Sequence, residues 1–239
     1  MMKTRLTILA AIMLVSVLSV TQLAFAGWVK PSGDVKKELR DVGSFNAIDV
    51  GGAFTVTLTQ GETEKVEVEA DDNLLPYIVT KVRGGELEIY LDKKVKDFSK
   101  LNVYIQCVDL EELDVSGASS LSSEGLLKFS SLGMEVNGAA SVELELALEE
   151  LVLEVSGAAH ATLYGTAQRV DLELSGAASL KAAEFEVDEM DAEVTGAAKG
   201  KVNVITRLDA EVSGAAFLGV IGNPEIDSEV SGAATLKRY

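Results

Sequence analysis

From about residue 110 onward the chain alternates apolar and polar positions in short runs, and each run closes on the same small motif. In Asp171-Leu172-Glu173-Leu174, Asp191-Ala192-Glu193-Val194, Asp209-Ala210-Glu211-Val212 and Asp227-Ser228-Glu229-Val230, every second side chain is acidic and the others are aliphatic or small. A period of two marks a β-strand with one face buried and one wet. Leu172, Leu174, Val194 and Val212 are therefore expected inside, and the carboxylates outside.

Seven copies of the closing motif align: Val115-Ser116-Gly117-Ala118-Ser119, Val136-Asn137-Gly138-Ala139-Ala140, Val155-Ser156-Gly157-Ala158-Ala159, Leu174-Ser175-Gly176-Ala177-Ala178, Val194-Thr195-Gly196-Ala197-Ala198, Val212-Ser213-Gly214-Ala215-Ala216 and Val230-Ser231-Gly232-Ala233-Ala234. Their glycines lie 21, 19, 19, 20, 18 and 18 residues apart. A near-constant period of this size is the signature of a repeat architecture. Glycine supplies a backbone conformation that a side chain hinders, and the alanines after it suit a tight corner. A second apolar stretch follows each corner, at Leu163, Leu180, Val202, Leu218 and Leu236. Each repeat thus reads as strand, corner, strand, return. Leucine-rich repeats need their own leucine and asparagine spacing and a helical return, which are absent. An outer-membrane barrel needs an apolar outer band with aromatic girdles, whereas these strands turn Asp and Glu outward and 5% of residues are aromatic. The pattern predicts an all-β parallel β-helix, or β-solenoid, over residues 107–239, with equivalent residues about 4.8 Å apart from coil to coil.

Over residues 27–106 the motif is weak, although Val50-Gly51-Gly52-Ala53-Phe54 reads as a worn copy. Alternation persists in Phe54-Thr55-Val56-Thr57-Leu58, Val66-Glu67-Val68-Glu69, Leu87-Glu88-Ile89-Tyr90-Leu91 and Leu101-Asn102-Val103-Tyr104-Ile105. Gln60-Gly61 and Arg83-Gly84-Gly85 supply turn residues between them. This region is expected to form an irregular N-terminal β region and cap, since terminal units of such stacks are atypical.

Residues 1–26 have a different pattern. Lys3 and Arg5 precede a mostly apolar run from Leu6 to Val20, and Ala24-Phe25-Ala26 follows. That order is a secretory signal peptide with cleavage expected after Ala26. The run falls short of the roughly 20 residues that span a bilayer, so no stable membrane insertion is expected after cleavage. No cysteine stands at the end of it, at residues 21–27, for lipid attachment.

Without that segment the chain carries 19 basic against 38 acidic residues. Such a balance repels nucleic acid and anionic headgroups, and favours cations, basic partners or simple solubility. Cys107 is the only cysteine, so no internal disulfide forms, and its apolar neighbours predict a buried side chain.

Phe45-Asn46-Ala47-Ile48-Asp49-Val50, Phe54-Thr55-Val56-Thr57-Leu58-Thr59-Gln60-Gly61 and Val66-Glu67-Val68-Glu69-Ala70-Asp71-Asp72-Asn73-Leu74-Leu75-Pro76-Tyr77-Ile78, followed by the Val-Ser-Gly-Ala-Ala repeats, resemble the head GIN domain family of auto-transporter adhesins over nearly all of residues 27–239. The resemblance implies an exported, right-handed parallel solenoid with no catalytic residues. A true autotransporter adds a C-terminal membrane barrel, and none follows Lys237-Arg238-Tyr239 in this sequence. Periplasmic, cell-surface and secreted locations all remain open.

Parallel β-helices also carry enzymes acting on acidic polysaccharides, whose sites cluster carboxylates with basic residues. Here the acids are abundant and the basic residues look scattered. His160 is the only histidine, so an imidazole pair or a histidine-based triad has one ring at most to use. The sequence therefore predicts no enzyme and no catalytic residues. A non-catalytic binding or structural module of the bacterial envelope, for an extended glycan or surface protein, is the leading reading. A polysaccharide-active enzyme and an envelope-stress component are the alternatives.

The residue three before each repeat glycine is acidic: Asp114, Glu135, Glu154, Glu173, Glu193, Glu211 and Glu229. Stacked in register these form one column, flanked by Asp171, Asp191, Asp209 and Asp227, and like charges about 5 Å apart repel. Calcium would relieve that repulsion, because hard cations choose oxygen ligands. Its candidate ligands are Glu154, Asp171, Glu173, Asp191, Glu193, Asp209, Glu211, Asp227 and Glu229; the other reading is a solvated acidic face. No other cofactor is expected. Close stacking should raise carboxyl pKa values in the folded state. One residue before each glycine, Ser116, Asn137, Ser156, Ser175, Thr195, Ser213 and Ser231 form a neutral polar column that either links coils by hydrogen bonds or presents a sugar-binding strip.

Overall fold

The computed structural model describes residues 28–95 and 97–239, so the signal segment expected at residues 1–26 lies outside the described residues. Among these, regular structure is β throughout apart from one 3-10 turn, Leu75–Tyr77. The chain winds as the all-β parallel solenoid that its repeats predict. Each coil offers one strand before the glycine corner, forming face A, and one after it, forming face B.

In β11 (Ser141–Val155), β12 (His160–Leu174), β13 (Ser179–Val194) and β14 (Lys199–Val212) the strand of face B bends directly into the next strand of face A. The bend is where alternation slips: Glu149 and Glu150, Gln168 and Arg169, and Asp188 and Glu189 are consecutive exposed pairs. The predicted return is therefore a bend inside a continuous strand. Face A is completed by β2 (Ala47–Gly52), β6 (Glu86–Leu91), β8 (Glu112–Gly117), β10 (Ser131–Val136) and β16 (Glu225–Val230). Face B is completed by β3 (Thr55–Gln60), β7 (Leu101–Cys107), β9 (Ser120–Lys128), β15 (Phe217–Ile221) and β17 (Thr235–Arg238).

Order in space departs from order in sequence near the start. The coil β2–β3 lies between β6–β7 on one side and β8–β9 on the other, all parallel. The worn motif is a true corner, with Gly51 and Gly52 opposite Ser116 and Gly117. At this end β5 (Ile78–Arg83) adds antiparallel to β6, β4 (Lys65–Asp71) antiparallel to β7, and β1 (Val35–Arg40) antiparallel to β4. Lys36, Glu38 and Arg40 of β1 fall opposite Ala70, Val68 and Val66, so charges replace apolar groups where the core ends. Charged edges of this kind discourage further strand addition.

The corners explain the motif. All seven repeat glycines and Gly52 have positive φ. At each repeat corner the N–H of the first alanine donates to the carbonyl of the glycine one coil below, as from Ala158 to Gly138 at 2.8 Å and from Ala177 to Gly157 at 2.7 Å. The two alanines differ in role: Ala158 and Ala177 are exposed, whereas Ala159 and Ala178 are buried, so only the second is held small by packing. Leu172, Leu174, Val194 and Val212 are inside, as the alternation predicts, within one continuous core. Cys107 is buried, its thiol donating weakly to the Thr59 carbonyl at 3.6 Å, and burial pushes its pKa up to about 11.

Candidate functional site

Parallel pairing without slippage turns a repeated residue type into a line. On face A, Glu88, Asp49, Asp114, Glu135, Glu154, Glu173, Glu193, Glu211 and Glu229 follow one another in register. The ladder holds nine carboxylates. Asp49 obeys the spacing rule, standing three before Gly52, and was findable from the worn motif. Glu88 precedes no motif and left no signal. Asp171, Asp191, Asp209 and Asp227 form the adjacent column, two residues earlier. Thus the nine residues named as calcium candidates occupy two neighbouring columns. Among the described residues no group of three or more His, Cys, Asp or Glu side chains is arranged to hold a metal ion.

A third column was hidden by the sequence. Glu150, Arg169, Glu189, Arg207 and Glu225 stack in that order, alternating in sign. Arg169 Nε lies 3.3 Å from Glu150 Oε1, and Arg207 Nη2 lies 3.5 Å from Asp209 Oδ2. Glu150, Arg169, Glu189 and Arg207 of this column, with Val152, Asp171, Asp191 and Asp209, line an open groove of about 370 Å³. The arginines that look scattered in the sequence are therefore aligned with acids. A second recess, of about 320 Å³, sits over Gly133 and is lined by Glu112, Asp114, Glu135, Val152 and Glu154. There Asp114 Oδ1 is buried without a hydrogen-bond partner.

The polar column beside the corner is half-buried over most of its length. It links coils where Ser116 Oγ donates to the Val50 carbonyl at 3.4 Å and where Ser156 Oγ donates to Asn137 Oδ1. His160 is exposed on face B between Ser141 and Ser179 of the adjoining coils. Its neighbours in register supply neither carboxylate nor nucleophilic thiol.

Face B differs in chemistry from face A. Its first coils turn out Thr55, Thr57, Ser120 and Ser122, and its later coils turn out Lys181, Lys199, Lys201 and Lys237 with Tyr164, Phe217 and Tyr239 half-buried or exposed. A shallow groove of about 330 Å³ runs beside Thr162, Tyr164, Lys181, Glu184 and Lys201.

The ladder perturbs its own acids. Burial, and then the charges of Glu135, Glu112, Asp49 and Glu86, push Asp114 up to about 6. Burial also raises Asp49, with help from Glu88, and Glu154, with help from Glu135 and Glu173. At the N-terminal cap the shifts reverse. Hydrogen bonds from Lys100 and Tyr104 lower Glu69 to about 2 against the opposing effect of burial. Burial alone would raise Asp71, but its bonds from Ser99 and the Gly33 N–H outweigh that and lower it.

A group with a raised folded pKa destabilises the fold while ionised, and is relieved as pH falls through that pKa. A group with a lowered pKa stabilises above its unfolded value, and that gain is lost as pH falls towards the folded one. The melting temperature is therefore expected to rise by about 2–4 °C from pH 7 to about 5, equivalent to roughly 1 kcal/mol after solvent screening, and to fall below about pH 4. Calorimetry across that range reads both limbs. A steady fall from pH 7 would remove the close stacking of carboxylates.

Among the described residues no helix is long and apolar enough to cross a membrane. None of the curated proteins matches the chain. Its fold is similar to that of a solved structure described as a putative adhesin from Bacteroides fragilis NCTC 9343, at 25% identity and a TM-score of 0.84, covering 88% of this chain and 100% of that one. It is also similar to a putative lipid binding protein from Parabacteroides distasonis ATCC 8503, at 19% identity and a TM-score of 0.73 over 89% of this chain and 100% of the other. A putative adhesin from Parabacteroides merdae ATCC 43184 is similar at 22% identity and a TM-score of 0.73, over 88% and 98%. Residues 44–224 match the family described as "Putative auto-transporter adhesin, head GIN domain", and with a corner motif repeated through that span, the chain belongs to this family.

Proposed function

We propose that the chain is a non-catalytic, exported binding module of the bacterial envelope that holds an extended partner in adhesion. The observation that carries this reading is the pair of long outer faces, with carboxylates in register from coil to coil along face A and lysines gathered on the later coils of face B. Solenoid faces of that form suit partners that are themselves extended. The structural relatives described as putative adhesins support it. Purified protein tested on a glycan array and on intact cells should bind in at least one; silence in both would remove adhesion. Protease shaving of intact cells should digest the protein if it is displayed at the surface.

One observation favours a second reading, a polysaccharide-active enzyme: the face A groove that gathers Arg169 and Arg207 with Asp171 and Asp191. Two features weigh against it. Both arginines are engaged by carboxylates in exposed ion pairs. The acid best suited to hold a proton near neutral pH, Asp114, sits three coils from Glu173, about 14 Å along the ladder, and so cannot share a bond with Arg169. Incubation with acidic polysaccharides should release no new reducing ends or unsaturated products.

For cations, each of the later coils offers an Asp and a Glu two residues apart on one strand, as Asp191 and Glu193 or Asp209 and Glu211, rather than a cage. Calcium ligation takes 6–8 oxygens. The ladder is read as gathering calcium in a diffuse, salt-screened layer, with melting temperature climbing gradually as calcium is added. A saturable calorimetric heat would instead restore discrete calcium sites.

A further inference from the structure

The net negative charge of the chain conceals a strip of the opposite sign. On face B one column reads Thr162, Lys181, Lys201, Gly219, Lys237, and the next reads Ser179, Lys199, Phe217, Thr235. All four lysines are exposed, and among the described residues none has a carboxylate oxygen within 4.0 Å. This sets them apart from Lys36, Lys37 and Lys100, which are paired with acids at the cap.

The strip has a floor as well as charges. Lys201 and Lys237 lie 4.9 and 4.5 Å from the centroid of the Tyr239 ring. That ring covers Gly219, where a Cβ would come within 2.9 Å of Tyr239 Cε2 and 3.3 Å of Phe217 Cε1. The glycine thus lets an aromatic surface fill the interval between two cations. One coil behind Lys181, the groove beside Thr162 and Tyr164 continues the same line.

We infer that this strip binds a linear acidic glycan, carboxylated or sulfated, laid along the solenoid axis; the inference rests on the binding-module reading above. Its cations recur at the coil spacing of about 4.8 Å, with one interval doubled at Gly219, and so meet a polymer with charges along its length. Aromatic rings and hydroxyls between the lysines supply apolar and hydrogen-bonding contacts to sugar rings. A thin chain is favoured over a flat anionic bilayer because Glu184 and Glu186 share this face at the edge of the strip. A plane would press on both signs at once, whereas a single chain follows the lysine column.

The test uses the full chain with alginate and heparin as probes, dextran as the neutral polymer, and vesicles containing phosphatidylserine. Wild-type protein should bind at least one acidic polymer, more weakly as added salt shortens the screening length to about 8 Å, and should ignore dextran. K181Q/K201Q/K237Q should bind at least about tenfold more weakly, a loss of about 1.4 kcal/mol, with unchanged circular dichroism. The matching Lys→Arg variant should retain binding, and E193Q/E211Q/E229Q on face A should lose none. Equal binding by the Lys→Gln variant overturns the inference, as does binding to vesicles alone. Capture of cells or neutral glycans without either acidic polymer overturns it while leaving the binding module standing; no binding to anything defeats both.

Discussion

Gly157→Ala is expected to lower stability by about 2–4 kcal/mol, although it adds a single methyl group to a solvent-exposed corner. Gly157 has a φ of +73°, where an L side chain is strained, and a Cβ there would lie 2.8 Å from the Gly138 carbonyl oxygen. That oxygen accepts the Ala158 N–H. The methyl would therefore press on the acceptor of the bond that ties one coil to the next. Gly176 rests on Gly157 in the same way, at 2.8 Å, so relaxation on one side strains the other. Two further glycines separate the contributions. Gly125 has a φ of +87° but open space where its Cβ would lie, and Gly125→Ala should cost about 1 kcal/mol from backbone conformation alone. Gly43 has neither feature, and Gly43→Ala should stay within about 0.5 kcal/mol of the parent. Denaturant melts of the three variants measure this order. Equal stability of the Gly157 and Gly43 variants would show that the corners do not stack.

Asp71→Ala should rank beside it, at about 2–4 kcal/mol and a melting temperature lower by roughly 5–15 °C. The carboxylate is fully buried and accepts the Gly33 N–H at 2.8 Å, the Ser99 N–H at 2.9 Å and Ser99 Oγ at 3.0 Å. It holds two separate stretches of chain against β4, and alanine would leave their donors unpaired. Asp71→Asn keeps one acceptor oxygen and should fall between alanine and parent. The defect should be local to the cap, so hydrogen exchange should accelerate first around Gly33 and Ser99 while β12 and β13 stay protected. Uniform acceleration along the solenoid would contradict the cap's separate role.

The solenoid was legible because its cause is local and repeated. Period-two alternation before Gly176, Gly196 and Gly214 names the inward side chains, and the glycine interval sets the coil. Two features escaped for identifiable reasons. The interleaving of β2–β3 between β6–β7 and β8–β9 depends on which strand edge is available at the moment of pairing, and alternation carries no record of that. The chemistry of the faces escaped because average charge is blind to direction. Lys199 and Lys201 look isolated among acids in the sequence, but parity places them on face B, while Glu193 and Glu211 point out from face A. Arg169 and Arg207 lie 38 residues apart, two coils on, and only the counting of coils brings them into one column with Glu189 between them.

The carboxylate ladder needed the least from tertiary structure. The rule of an acid three before each glycine placed seven of its nine members, and the raised pKa of Asp114 and Glu154 follows from their burial and their stacking. The columns of both faces depend on equivalent residues of successive coils sitting side by side.

Disulfide trapping between coils tests that register most directly. E154C/E173C places thiols on directly opposed residues, about 4.8 Å apart between Cα atoms and inside the range a disulfide spans; E154C/D171C offsets the second by two residues, beyond the usual range. Cys107 remains in place, being buried with its thiol pKa pushed up to about 11. Under mild oxidation the first variant should lose both free thiols rapidly within the monomer and the second should keep them. Faster closure in E154C/D171C, or equal rates in the two, would contradict the in-register stack on which both faces depend.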